Sequence, residues 1–156
     1  MPKLDLSSVP VKAGSIYPEP YAAMMEGRSS LRLGQAGGLT QFGVNLVTLA
    51  PGALSSLRHW HLNEDEFVMI LTGECAMVTD AGEETMSPGD CAAFPAGLAD
   101  GHHFINRSDR PASFLVVGTK APRETARYSD VDMVIEIENG AARFTHRDGS
   151  DWQGPR

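Results

Sequence analysis

His59-Trp60-His61-Leu62-Asn63-Glu64-Asp65-Glu66-Phe67-Val68-Met69-Ile70-Leu71-Thr72-Gly73 carries two kinds of information in one run of sequence. On a strand, residues i and i+2 face the same side, so the imidazoles of His59 and His61 converge while Trp60 faces away. Glu66 follows His61 closely enough to return to the same place across a tight turn at 62–65. Its period-two neighbours, Val68 and Ile70, should line the same interior. Two imidazoles and one carboxylate make a mixed nitrogen and oxygen donor set suited to one divalent transition metal ion, whether Zn, Fe, Mn, Ni or Co. Mg and Ca prefer oxygen ligands. The second half of the stretch, Phe67 to Leu71, is apolar at every position and predicts a strand buried on both faces.

Outward from this stretch the same grammar continues as short strands punctuated by turn residues. Strands are expected at 41–49, 75–79, 91–94, 102–106, 112–118, 131–137 and 141–145. Pro51-Gly52, Asp80-Ala81-Gly82, Ser87-Pro88-Gly89-Asp90, Pro95-Ala96-Gly97 and Asn139-Gly140 separate them. No segment sustains a helical period and no internal repeat is present, so the expected class is all-β, a sandwich or closed barrel. Pro2, Pro10, Pro18 and Pro20 make residues 1–30 read as an irregular arm. The expected division is therefore an arm at 1–30, a barrel at 31–146 and a tail at 147–156.

The 156 residues suffice for one domain with a real core. A formal net charge of −7 argues against nucleic acid as a partner. The weakly charged run from Leu31 to Leu46 is broken by glycines and glutamines and is no membrane span. Cys75 and Cys91 lack the spacing of a zinc or redox pair and read as small buried residues. With no signal-peptide pattern at the start, a reducing cytoplasm is the expected compartment.

A fourth ligand must come from a distant strand. His102, Phe104 and Asn106 share one face by period two, whereas His103 and Ile105 share the other. A single histidine in an apolar strand is ordinarily a hydrogen-bonded core residue; the His-x-His-x4-Glu spacing is what argues for a metal. Arg32, Arg58 and Arg107 are candidate clamps for an anionic substrate, although a solvated surface arginine is the simpler reading for each. Glu64 and Asp65 read as exposed turn residues, and His146 as a surface residue after the last strand; Tyr17, Tyr21 and Tyr128 are candidate acids near the pocket, although packing is the simpler reading.

At these positions the chain resembles the cupin family. Gly52, His59, His61, Glu66 and Gly73 look like the first cupin motif, and Gly89, Pro95, Gly97, His102 and Asn106 like the second. The gap from Gly52 to His59 is one residue longer than usual. That from Gly97 to His102 is two residues longer, and strict spacing would place Asp100 at the ligand position. The resemblance implies a double-stranded β-helix, or jelly-roll, barrel with His59, His61, Glu66 and His102 on the metal. Asp100 and His103 remain alternatives for the fourth ligand. The tail is similar to that of small single-domain bacterial cupins of a sugar-phosphate-isomerase-like group. Four protein ligands on an octahedral ion would leave two positions open for a small-molecule substrate. The leading expectation is a metal-dependent isomerase on a sugar or sugar phosphate. The alternatives are a dioxygenase, or a metal-supported binding module without turnover; the catalytic acid and base are not identified. The resemblance further implies a homodimer.

Overall fold

The structure, a computed structural model, describes residues 3–156; residues 1 and 2 of the expected arm lie outside it. It is nearly all-β. Strands β1 (Val11–Ala13), β2 (Arg28–Leu31), β3 (Phe42–Leu49), β4 (His59–His61), β5 (Glu66–Thr72), β6 (Cys75–Thr79) and β7 (Gly82–Met86) are followed by β8 (Cys91–Phe94), β9 (His103–Ile105), β10 (Ala112–Thr119), β11 (Arg123–Tyr128), β12 (Val134–Glu138) and β13 (Ala141–Thr145). A short α-helix, α1 (Leu33–Ala36), joins β2 to β3.

The strands form a six-stranded sheet in the order β1-β2-β3-β10-β5-β8, a four-stranded sheet β13-β12-β11-β4 and a three-stranded sheet β7-β6-β9. Every pairing is antiparallel. A bridge between His59 and His102 joins the two smaller sheets. This is the jelly-roll arrangement. Its main core, including Val47, Leu49, Val68, Ile70, Phe104 and Phe114, lies between the six-stranded and three-stranded sheets. A second cluster under the four-stranded sheet gathers Met25, Leu57, Ala126, Tyr128, Met133 and Ile135.

The turns form where their chemistry allows. Asp80-Ala81 closes a two-residue hairpin between Thr79 and Gly82, and Asn139 and Gly140 both take positive φ, 50° and 82°, as a type I′ turn requires. Gly73 has φ 67°, and a Cβ there would meet Pro111 O at 2.7 Å, so only glycine fits.

Several expectations need correction. Residues 11–13 and 28–31 are not irregular but supply the edge of the large sheet. Strand β5 is buried on one face only: Val68 and Ile70 are fully enclosed, whereas Phe67 and Leu71 stand 39% and 42% exposed on the outer face. Cys91 is exposed on the same outer surface, and only Cys75 is buried. His146 is not a surface residue. It is buried, donates from Nδ1 to the Asp132 carboxylate at 3.0 Å, and lies against the Trp152 ring.

Candidate metal centre

Strand β4 presents its two histidines inward as the period requires. His59 pairs with Tyr128 and His61 with Ala126 on β11, while Trp60 turns out beneath the Arg127 guanidinium. Leu62 and Asn63 then turn the chain, their backbone N–H groups donating to the two carboxylate oxygens of Glu124 at 2.9 Å each. Asp65 accepts from the Ala96 N–H, and Glu64, half-buried, accepts from the Ala121 N–H. Burial pushes the Glu64 carboxyl above its ordinary value. These acids fasten the turn rather than merely facing solvent, and the turn delivers Glu66 back beside the histidines.

One donor atom each from His59, His61 and Glu66 lies within 4.8 Å of the other two. His61 Nε2 is 3.8 Å from Glu66 Oε2, and His102 Nε2 is 3.2 Å from Glu66 Oε1. Around one ion with bonds of about 2.1 Å, donor atoms sit roughly 3–4 Å apart, so these separations suit a shared metal. The ring nitrogens agree. His59 Nδ1 donates to the Leu57 carbonyl at 2.9 Å, which leaves its Nε2 with a free lone pair. Burial, with His61 and His102 as neighbours, lowers the His59 pKa to about 3 and keeps the ring neutral, as a ligand must be. Burial alone would raise the Glu66 pKa; the His102 hydrogen bond and the surrounding imidazoles outweigh it and hold the carboxyl below its ordinary value. His61 Nδ1 faces Glu124 Oε1 at 3.6 Å, the place of a carboxylate behind a metal-bound imidazole.

The three candidates for the fourth position separate cleanly. His102 is buried, stacked on Phe94 with ring centroids 3.4 Å apart, and meets Glu66. His103 points away and bonds the Ser56 carbonyl through Nδ1 at 3.1 Å. Asp100 accepts the Asp80 N–H at 2.7 Å and so closes a loop. The longer 98–101 segment is what carries His102 into line: a Cβ on Gly101 would collide with Ser129 Oγ, so the loop runs tight against its neighbour. Asn106 anchors the far end. Fully buried, it donates from Nδ2 to Leu49 O and Arg110 O and accepts from Ser108 at Oδ1.

The four residues border a cavity of about 410 Å³ that also reaches Tyr17, Tyr128, Asn45, Val116 and Ile135. Tyr17 and Tyr128 pack edge to face with centroids 5.5 Å apart, and burial raises the pKa of both phenols, which keeps them protonated. Tyr21 packs on Trp152. Of the three arginines, Arg58 pairs with Asp80 and Asp130, and Arg107 with Glu83, both on the surface. Arg32 borders the cavity. Glu124, Lys12 and Arg28 are site neighbours that the sequence reading passed over. Glu124, Ala126 and Tyr128 are buried alternately with Arg123, Thr125 and Arg127, an alternation that marks a strand but not its pairing with β4.

Comparison with known proteins agrees with this fold. A cupin domain model matches residues 45–118. A crystal structure from Silicibacter pomeroyi DSS-3, described as a sugar phosphate isomerase from a cupin superfamily, is 59% identical with a TM-score of 0.95, and 98% of each chain is covered. A protein from Acidithiobacillus ferrooxidans ATCC 23270, provisionally given the same activity, is 26% identical with a TM-score of 0.73, covering 83% of this chain and 81% of that one. The polyketide cyclase RemF from Streptomyces resistomycificus shares the fold at 22% identity and a TM-score of 0.62, with 76% of this chain and 79% of that one covered. No curated protein matches. With both motifs in place on a jelly-roll barrel and a relative matched over nearly its whole length, the chain belongs to the cupin superfamily.

Proposed function

We propose that this cupin is a metal-dependent enzyme acting on a small oxygenated metabolite, an isomerase on a sugar or sugar phosphate. The observation that carries the reading is the grouping of His59, His61 and Glu66 donor atoms at one cavity, with His102 brought beside them by its contact with Glu66. The Silicibacter pomeroyi protein's description gives the reaction class. His59, His61, Glu66 and His102 would hold one divalent transition ion, which when bound supplies Lewis-acid polarisation of a substrate oxygen. The chain's own groups do the rest. Leu57 and Phe94 fix the rings of His59 and His102, and the protonated phenol of Tyr17 or Tyr128 can donate to a substrate hydroxyl. Val116 and Ile135 give the cavity apolar wall.

The test is NMR in D2O of the protein loaded in turn with Zn, Mn, Co, Ni or Fe(II), mixed with aldose and ketose phosphates. The reading expects interconversion with solvent deuterium entering at carbon, lost in His61→Ala. Oxygen consumption without isomerisation would replace it with the dioxygenase reading, and binding without turnover with a binding module.

Two broader features belong to the same proposal. The outer face of the large sheet carries Leu46, Leu115, Met69, Phe67 and Leu71, an apolar surface suited to a second copy, and supports a homodimer. Two free thiols suit a reducing compartment such as the cytoplasm. Among the described residues no helix is long and apolar enough to cross a membrane.

A further inference from the structure

The cavity has a second chemical end. Arg28 and Ser30 of β2, and Arg32 just past its end, follow at every second residue, and Lys12 of β1 lies directly opposite Ser30. All three cations border the cavity that holds His59, His61, Glu66 and His102. Arg58, Arg107, Arg123, Arg143 and Arg156 each meet a carboxylate on the surface. Among the described residues Lys12, Arg28 and Arg32 meet none, and unlike Lys3, Lys120, Arg127 and Arg147, which also lack an ion pair, these three gather at one cavity.

Arg28 is also fixed in place. Its Nε donates to Ser55 O at 2.6 Å and its Nη1 to Gly14 O at 2.9 Å, which leaves Nη2 without a partner among the described residues. Lys12 and Arg32 make no side-chain hydrogen bond among the described residues. Burial, then repulsion from Arg32 and Arg28, lowers the pKa of Lys12; burial and Arg32 lower that of Arg28. Three like charges gathered without a counter-ion cost free energy that a bound dianion would offset.

We propose that Lys12, Arg28 and Arg32 form an anion subsite that takes the phosphate of a phosphate monoester whose other end reaches the histidine cluster. This rests on the sugar-phosphate reading above and adds the residues that select phosphate over a neutral sugar. The cavity volume of about 410 Å³ lies within the range for a bound metabolite.

The test is calorimetric titration of inorganic phosphate into the full chain after chelator treatment, so that no metal contributes. The wild type should bind one phosphate per chain. Lys12→Gln with Arg32→Gln should weaken it at least about tenfold, with a melting temperature no lower than that of the wild type, since like-charge repulsion is relieved. Arg28 is left intact because its bonds hold Ser55 and Gly14. Arg123→Gln, a surface cation paired with Glu138, should bind as the wild type does. No phosphate binding by the wild type, equal binding by the double variant, or an equal loss in Arg123→Gln would overturn the subsite. Tighter binding of malonate than of phosphate would overturn its assignment to phosphate. Phosphate binding that follows this pattern while no sugar phosphate is converted would leave the subsite standing and remove only the isomerase reading.

Discussion

His59 shows how a few neighbours turn an ordinary side chain into a ligand. Its Nδ1 is spent on Leu57, and burial beside two other imidazoles holds the ring neutral with a pKa of about 3. The free imidazole titrates near 6.5, so below that value the unfolded chain takes up a proton that the folded chain refuses. Its contribution to stability is therefore complete above about pH 6.5 and is lost as the pH falls toward 3. Thermal unfolding of the metal-free protein should move to lower temperature between about pH 7 and pH 4.5, more steeply than in His59→Asn; equal slopes would contradict this. The two cysteines give a second residue-scale prediction. Burial pushes the Cys75 thiol up to about 11, whereas Cys91 is exposed. A thiol reagent at about pH 8 should modify one site per folded chain, lost in Cys91→Ser; two sites reacting at equal rates would contradict the burial of Cys75.

At the scale of elements, what the sequence disclosed was what acts over a few residues. The alternation in β4, the return of Glu66 and the inward placement of Val68 and Ile70 all follow from period two. The parity that set His102, Phe104 and Asn106 on one buried face holds as well. What was hidden depends on pairing between distant segments. Glu124 belongs to the site because β11 pairs with β4. Lys12 and Arg28 belong because strands in a proline-rich segment join the edge of the large sheet. His146 is buried only because Asp132 and Trp152 close over it. In β5 an all-apolar run could not say which face was the core. Asn106 ties the end of β9 to β3 and to the 107–111 turn, so Asn106→Ala should destabilise the fold by about 2–4 kcal/mol. Urea unfolding measures this; a change under about 0.5 kcal/mol would contradict the anchoring role.

At the scale of the whole molecule, the large sheet has two unlike faces. The inner one carries cations at the β1–β2 edge, apolar residues in the middle and Glu66 further across, so one cavity spans a charged end and a histidine end. The outer one is apolar, with Phe42, Phe67 and Leu71 exposed. Light scattering should give twice the chain mass for the wild type and the single mass for Leu71→Asp; a wild-type monomer would remove the dimer. Over all of this stands one claim, that His59, His61, Glu66 and His102 hold a metal together. Element analysis after equilibration with excess divalent ion and dialysis tests it most directly. One transition ion per chain in the wild type, and a loss of most of it in both His61→Ala and His102→Ala with the fold intact, is the predicted result. A wild type that retains no ion, or variants that retain as much as the wild type, would contradict it.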